Sequence, residues 1–395
     1  MLSLRSRLSE FAIRRPACTL DSFGKAQTPR HDRATPTFMK IGIVGAGKIG
    51  STIATLLDAS DFCTEVVIGD ARAVRLPRMR KVRSVRFDVN RAASLRSFIR
   101  GVDAVVSAAP FFLNKGIASA CAAAGVSYFD LTEDVDTTAF IRKLARTSDA
   151  TFMPQCGLAP GAINIVGAGM AAQLKEVRQL EMRVGALPLT ASNQMKYYLS
   201  WSTAGLINEY CHLCDALYHG RHLKTLPLEG VERITIDGTE YEAFNTSGGV
   251  ATMCETYAGR VQDLTYKTLR YPGHRDMMKF VLQDLNLGSR PGLVTEIFDQ
   301  EVPLTDNDVV VFYVSAVGTH RGQVQQRSFV KKIRGARVNK VALSAIQLTT
   351  AAGLLAVLEL FASGRLKRGF VKQESVSMAD FLATRWGGQV YGGEG

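Results

Sequence analysis

The chain has 395 residues, enough for about two domains that each bury a core. It is 46% hydrophobic and 21% charged, with 35 Gly and 12 Pro, a globular composition that excludes a disordered or fibrous chain. The net charge of +12 comes without an aromatic-interleaved basic stripe, a helix-turn-helix or zinc-finger spacing, so it argues for an anionic cofactor or substrate and against nucleic acid as a partner.

Residues 1–38 hold seven Lys/Arg against three Asp/Glu, with Leu4, Leu8 and Phe11 at helical spacing among Arg5, Arg7, Arg14 and Arg15. A mitochondrial presequence has this pattern; the other reading is an upstream extension ahead of a start at Met39. Met39-Lys40, directly before the first strand, favours the extension and a cytoplasmic protein. Ile41–Val44 reads as a strand, Ile49–Leu57 as a helix and Glu65–Gly69 as a strand ending at Asp70. A small basic cluster follows at Arg72, Arg75, Arg78, Arg80, Lys81 and Arg83. Val82–Val89 reads as a strand reaching Asp88, Ala92–Arg100 as a helix and Ala104–Ser107 as a buried strand. Next come a helix over Lys115–Ala124, a strand over Ser127–Leu131, a helix over Phe140–Ser148 and a strand over Thr151–Met153. Such alternation means βαβ units and a parallel sheet.

After about Gly161 the pattern changes. Val177–Ala186, Arg233–Asp237, Leu264–Leu269, Asp308–Val317 and Gln323–Ile333 read as strands with few helices between them, hence a mostly antiparallel α+β domain. Val341–Ala362 reads as a helix. Its Gln347, Thr349, Thr350 and Glu359 make it a buried core helix rather than a membrane span. Seven scattered cysteines read as reduced thiols, and Cys211 and Cys214 form a CxxC without a second pair at zinc spacing. Two helix-face thiols are the simpler expectation there, and no metal is expected.

"GAGKIG" places Gly45, Gly47 and Gly50 between the first strand and its helix. Gly45 allows a tight turn, Gly47 lets a pyrophosphate approach the backbone, and Gly50 lets the helix pack closely. Free N–H groups at the helix start, around Ala46, Lys48 and Ile49, hold phosphates. Asp70, about twenty residues on, suits the adenosine ribose and favours NAD. Arg72, beside Ala71, could attract a 2′-phosphate, so NADP use stays open.

"AAPFF" (Ala108–Phe112), "DLTEDVD" (Asp130–Asp136), "PQCGLAPGAIN" (Pro154–Asn164), "VGALP" (Val184–Pro188), "SWSTAGLINEY" (Ser200–Tyr210), "AFNTSGG" (Ala243–Gly249) and "LRYPGH" (Leu269–His274) occur in this order. The ordered set resembles the saccharopine dehydrogenase (glutamate-forming) superfamily and, within it, is most similar to bacterial L-lysine 6-dehydrogenases, from Met39 to the C-terminus. The resemblance implies an α/β protein: a Rossmann doubly wound parallel sheet with an inserted α+β substrate domain and a late helix returning to the first layer. The expected units are 39–160 with 341–395, and 161–340, the latter also carrying a homodimer or higher homo-oligomer contact. It implies NAD-dependent oxidation of lysine at the ε-carbon, giving allysine. Saccharopine reductases carry Arg in the segment matching Ser202–Gly205, where this chain has Ala204, and Asp where it has Ala159. Those departures favour a small diamino acid over saccharopine.

A base must take a proton from the lysine ammonium, whose ordinary pKa is about 10.4. Glu133 and Asp134 end the fifth strand; Asp134 is the expected base, with helix capping as its competing role. His274 is the second candidate, against a plain turn residue. Asp88, Ala108, Ala109, Pro110 and Cys156 are expected at the cofactor, Cys156 through its backbone rather than as a nucleophile. Asn245, Thr246 and Ser247 are expected on the substrate carboxylate, or else in a β-turn. Arg270 is expected on the same carboxylate, and Phe111 and Trp201 along the aliphatic stem. A saccharopine- or carboxynorspermidine-type reductase is the alternative enzyme, and a dinucleotide-sensing regulator the alternative of a different class.

Overall fold

The computed structural model describes residues 38–74 and 76–393; Cys18, Arg75 and the leader up to residue 37 lie outside the described residues. The first half alternates as read: β1 (Met39–Val44), α1 (Lys48–Asp58), β2 (Cys63–Asp70), β3 (Val82–Arg86), α2 (Ala92–Ile99), β4 (Ala104–Ser107), α3 (Phe111–Ala124), β5 (Ser127–Asp130), α4 (Val135–Ala145) and β6 (Thr151–Met153). Two helices begin earlier than expected. Pro110 stands at the α3 N-cap, and the Asp134 carboxylate caps α4 by accepting from Thr137 N–H. Both residue types start helices whose first turn is too polar or too short of periodicity to read.

The second half brings α5 (Ala162–Ala171), β7 (Val177–Pro188), α6 (Thr203–Cys211), β8 (Cys214–Tyr218), β9 (Arg221–Thr225), β10 (Glu232–Ile236), β11 (Thr239–Asn245), α7 (Met253–Tyr257), β12 (Val261–Arg270), α8 (His274–Lys279), α9 (Pro291–Glu301), β13 (Asp308–His320) and β14 (Gln323–Arg334). The chain closes with β15 (Ala336–Val338), β16 (Val341–Leu343), α10 (Ala345–Ala362), β17 (Gly369–Phe370), α11 (Met378–Ala383) and α12 (Arg385–Tyr391). Five helices thus interrupt the stretch read as nearly helix-free. The CxxC does not lie on one helix face: Cys211 ends α6 and Cys214 starts β8. Among the described residues no three His, Cys, Asp or Glu side chains gather as a metal site.

The first sheet runs in the order β17-β6-β5-β4-β1-β2-β3, all parallel. β4, β5 and β6 are buried throughout, as strands covered by helices on both faces must be. The order reverses at β1, with β2 on one side and β4 on the other, which opens a crevice at their carboxyl ends. The second sheet runs β10-β11-β12-β7-β13-β14, with β8 and β9 attached through β12. Its β12–β7 pair is parallel, so this sheet is mixed. Along β7, Leu180, Met182, Val184 and Ala186 face the core shared with the first sheet, while Arg183 pairs with Glu181 and Glu232 on the far side.

The long apolar stretch splits. Val341–Leu343 pairs with β15, and Ser344 then caps α10 in a reciprocal box with Gln347. α10 is apolar nearly all round because both sheets claim it, through α1 on one side and β13 on the other. It is long and apolar enough to cross a membrane, yet it lies inside the protein core. Its N-terminus is fixed by the buried Asp308 of β13, which accepts from Ala345 N–H at 2.6 Å and Ile346 N–H at 3.0 Å. Asp308→Ala is expected to lower stability by about 2 kcal/mol, read as a fall in the urea midpoint, since two donors at a buried helix end lose their acceptor.

Candidate functional site

The glycine turn is built by close contact. At Gly45 φ is +99°, and a Cβ there would meet the Ala108 carbonyl at 2.7 Å. A Cβ at Gly50 would meet the Gly45 carbonyl at 2.0 Å. Gly47 is different: a Cβ would meet nothing within 4 Å, so the loop faces open space where a diphosphate fits. Gly47 is also the N-cap of α1 without any side-chain cap, which leaves helix-start N–H groups for a ligand. Asp70 ends β2 beside this loop. Its carboxylate accepts from Ala46 N–H at 2.9 Å and from Arg72 N–H at 3.0 Å, and Arg86 lies over the same turn through a bond to the Ala71 carbonyl. Asp88 lies beyond β3, accepting from Asn90 N–H and pairing with Arg91.

From the loop a cavity of about 640 Å³ runs between the two sheets. Gly47, Lys48, Ile49 and Ala108, Ala109 and Pro110 form one end; Phe111, Glu133, Gly157 and Ala159 follow; Trp201, Glu209 and Arg270 form the other. Lys48 pairs with Asp306 across the mouth. Cys156 is not on the wall. Its thiol donates to the Met153 carbonyl at 3.0 Å and accepts from Gln373 at 3.3 Å, and burial pushes it far above the usual thiol range. It is an inert packed thiol, and its neighbour Gly157 takes the wall position.

The floor of the first sheet is fully bonded. Asp130 is completely buried, accepting from Thr132 and Gln155 N–H on one oxygen and from Tyr128 and Asn114 on the other. Burial pushes it up to about 6 against those bonds. Asp134, the expected base, and its neighbour Glu133 are placed differently. Asp134 is spent on capping α4 at 2.7 Å, whereas Glu133 lines the cavity with a carboxyl that forms no ion pair among the described residues and bonds only its own backbone N–H. Burial raises Glu133 above the usual carboxylate range, and the charges of Asp134 and Asp130 add to this.

Arg270 is 2% exposed. Its Nε donates to Tyr210 Oη at 3.1 Å, Nη1 donates to the Leu269 carbonyl at 2.9 Å, and the guanidinium lies over Tyr197 at 5.2 Å. It forms no ion pair among the described residues, and it faces the cavity. His274 lies behind it. Nδ1 is 3.0 Å from the Met195 carbonyl and Nε2 3.2 Å from Tyr210 Oη. A carbonyl only accepts, so Nδ1 carries the proton and Nε2 accepts from Tyr210. Burial, then Arg270, pushes His274 down to about 3. Both ring nitrogens are bonded, and His274, one of the expected bases, does not line the cavity.

Asn245, Thr246 and Ser247 are also off the wall. Asn245 bonds the Leu226 carbonyl, Thr246 reaches the hydroxyl of the wall residue Thr268 at 2.8 Å, and Ser247 N–H donates to the Glu209 carbonyl. They brace the site from behind. The structure therefore gathers Phe111, Trp201 and Arg270 from the expected substrate set, and adds Glu133, Glu209 and Ser200. Glu209 was unread because an acid on an amphipathic helix looks like surface.

A doubly wound sheet with this glycine turn defines a nicotinamide-dinucleotide-binding protein. The saccharopine dehydrogenase NADP-binding domain model matches residues 41–155, and the saccharopine dehydrogenase C-terminal domain model matches residues 157–384. The chain belongs to the saccharopine dehydrogenase family, NAD(P)-dependent oxidoreductases of amino-acid metabolism. Its fold is similar to apo saccharopine dehydrogenase (L-Glu forming) from Saccharomyces cerevisiae, with a TM-score of 0.68 at 12% identity, covering 87% of this chain and 95% of that one. A stretch of 132 residues, 32% of this chain, is 28% identical to alpha-aminoadipic semialdehyde synthase of Arabidopsis thaliana, and spans only 12% of that relative.

The glycine geometry separates two variants. Gly47→Ala should melt within a degree or two of the native protein yet bind NAD(P) at least about tenfold more weakly, its methyl occupying the open space of the phosphate cradle. Gly50→Ala should lower the melting temperature as well. Titration calorimetry with thermal melts distinguishes them.

Proposed function

We propose that this protein oxidises the side-chain amine of a small amino acid, with L-lysine and its ε-amino group as the leading substrate. The products are ammonia and allysine, which cyclises to piperideine-6-carboxylate. One observation carries the reading: a buried guanidinium without an ion-pair partner, Arg270, faces the cavity whose other end is the dinucleotide loop. A charge so placed needs an anion, and the α-carboxylate of an amino acid supplies one.

Bound at the glycine turn, NAD(P) supplies the hydride acceptor. The protein's own part is positioning and proton handling. Arg270 anchors the carboxylate, while Phe111 and Trp201 line the path of the aliphatic stem. Glu133 takes the proton that the ammonium must lose before its carbon can release hydride and passes it to solvent; the freed carboxylate then takes a proton from the water that attacks the iminium carbon and returns it to the leaving amine. Its raised pKa suits that task better than an exposed acid would.

Ala159 and Ala204 both line the cavity. Saccharopine reductases carry charged residues at the matching places, so two methyl groups here support a substrate without saccharopine's extra carboxylates. Among the described residues Arg270 and Lys48 are the only cations on the wall, and Lys48 is paired with Asp306. The Asp70 carboxylate at the ribose end disfavours a 2′-phosphate and supports NAD over NADP.

Two outcomes are expected. With lysine, kcat/KM should rise with pH as Glu133 ionises, on a limb above the usual carboxylate range. Glu133→Gln should abolish that limb and lower kcat by at least about 100-fold. Unchanged turnover in this variant removes Glu133 from the chemistry. Asp70→Ala should raise the KM for NAD about tenfold more than that for NADP, since only NAD loses ribose hydrogen bonds without losing a repulsion.

A further inference from the structure

The substrate end of the cavity holds two more polar groups with nothing to bond. Glu209 is 7% exposed, lines the cavity, and its carboxyl has no hydrogen-bond or ion-pair partner among the described residues. Ser200 is 2% exposed, lines the same cavity, and its buried Oγ has no partner either. Buried groups of this kind are expensive unless something arrives to pair with them. The protein takes care to aim Glu209 inward. Its carbonyl is held by Ser247 N–H at 3.0 Å, and Ser202 caps the start of α6 on Gly205 N–H at 3.1 Å. Gly205, one helical turn before Glu209, shares its face. A side chain at Gly205 would meet Trp201 at 2.7 Å and Glu133 at 3.3 Å, so this face of α6 is kept open toward the cavity.

Resting on the amino-acid reading above, we infer that Arg270, Glu209 and Ser200 form a recognition site for the zwitterionic head of an α-amino acid. Arg270 takes the α-carboxylate; Glu209 takes the α-ammonium, with Ser200 Oγ as a further acceptor. Opposite charges on the wall then meet opposite charges on one small head group, and both are neutralised together. Glu133 is left for the reacting amine. The substrate class is therefore an α-amino acid carrying a side-chain amine. Polyamines lack the carboxylate, and ω-amino acids lack the α-ammonium. Burial pushes the Glu209 carboxyl up to about 8, with Glu133 adding to the shift and Arg270 opposing it, so the acid is held ready to ionise against an arriving cation.

The test uses probes that cannot react at the ε-position. L-norleucine and hexanoate share a six-carbon chain and a carboxylate and differ by the α-ammonium. In calorimetric titrations of the full chain with NAD present, the native protein should bind norleucine at least about tenfold more tightly than hexanoate, the worth of one charge-assisted pair. Glu209→Gln should bring that ratio close to one while hexanoate binding persists, and Ser200→Ala should reduce it a few-fold. Equal binding of both probes by the native protein, binding of neither, or an unchanged ratio in Glu209→Gln would each overturn the site. The variant has its own folding control. A folded-state pKa raised above the unfolded value means stability is lost as pH rises from about 4.5 to about 8, so Glu209→Gln should melt higher than the native protein at pH 9. Lysine turnover is scored separately. A norleucine preference without lysine turnover defeats the lysine reading alone, and lysine turnover without that preference defeats the head-group site alone.

Discussion

Everything at the site depends on two sheets being held at a fixed separation, and the joint that holds them is α10. One face of this helix belongs to the dinucleotide layer through α1, and the other to β13 of the mixed sheet. Apolar burial alone would let such a helix slide or rotate, because dispersion and hydrophobic forces have little direction. The Asp308 carboxylate removes that freedom. It grips the first two N–H groups of α10, and Gln347 near the same end bonds Thr52 of α1 at 3.1 Å. The cavity is the gap this joint leaves, with Ile346 and Thr350 of α10 on its wall.

Most buried charge in the molecule is answered. Asp130 has four donors, Arg183 has Glu181 and Glu232, and Asp308 has its helix. Against that background Arg270, Glu209 and Glu133, which form no ion pair among the described residues, stand out, and all three line one cavity. Arg270, Glu209 and Glu133 come from three separate elements, β12, α6 and the end of β5. Their convergence in one cavity costs stability that a fold without a ligand would have no reason to accept. The same contrast separates neighbours in the chain. Asp134 and Glu133 differ by one position, yet Asp134 meets the first turn of α4 while Glu133 points into the gap.

The first layer was legible because its signals are local. Alternation of strand and helix, the three glycines and the acid at Asp70 each lie within one βαβ unit, and the ordered motifs extend the reading to a family. The second layer was less legible. β8, β9 and β11 are short or polar, and the β12–β7 pairing is parallel between strands far apart in the chain, which no local pattern reveals. Arg270 was readable as a charged residue in a motif. Glu209 was not, since only the packing of α6 over the cavity turns a helical acid inward. Asn245, Thr246 and Ser247 misled for the opposite reason: their types suit a carboxylate, but the end of β11 and the turn after it place them behind the wall.

Behind that wall lies the reason Arg270 can be both buried and ready. A guanidinium with five donors pairs with any carboxylate in contact with it, and among the described residues none lies within ion-pair distance of Arg270. Here it is given only neutral partners: two backbone carbonyls, a phenol and an aromatic face. The phenol is itself oriented. His274, held neutral and fixed by the Met195 carbonyl, accepts the Tyr210 O–H hydrogen bond at Nε2, so the Tyr210 oxygen turns its lone pair to Arg270. A protonated His274 would reverse that dipole and set two cations against each other in a dry site. The chain from Met195 through His274 and Tyr210 thus holds the arginine in place without discharging it, which is what the proposed carboxylate site requires.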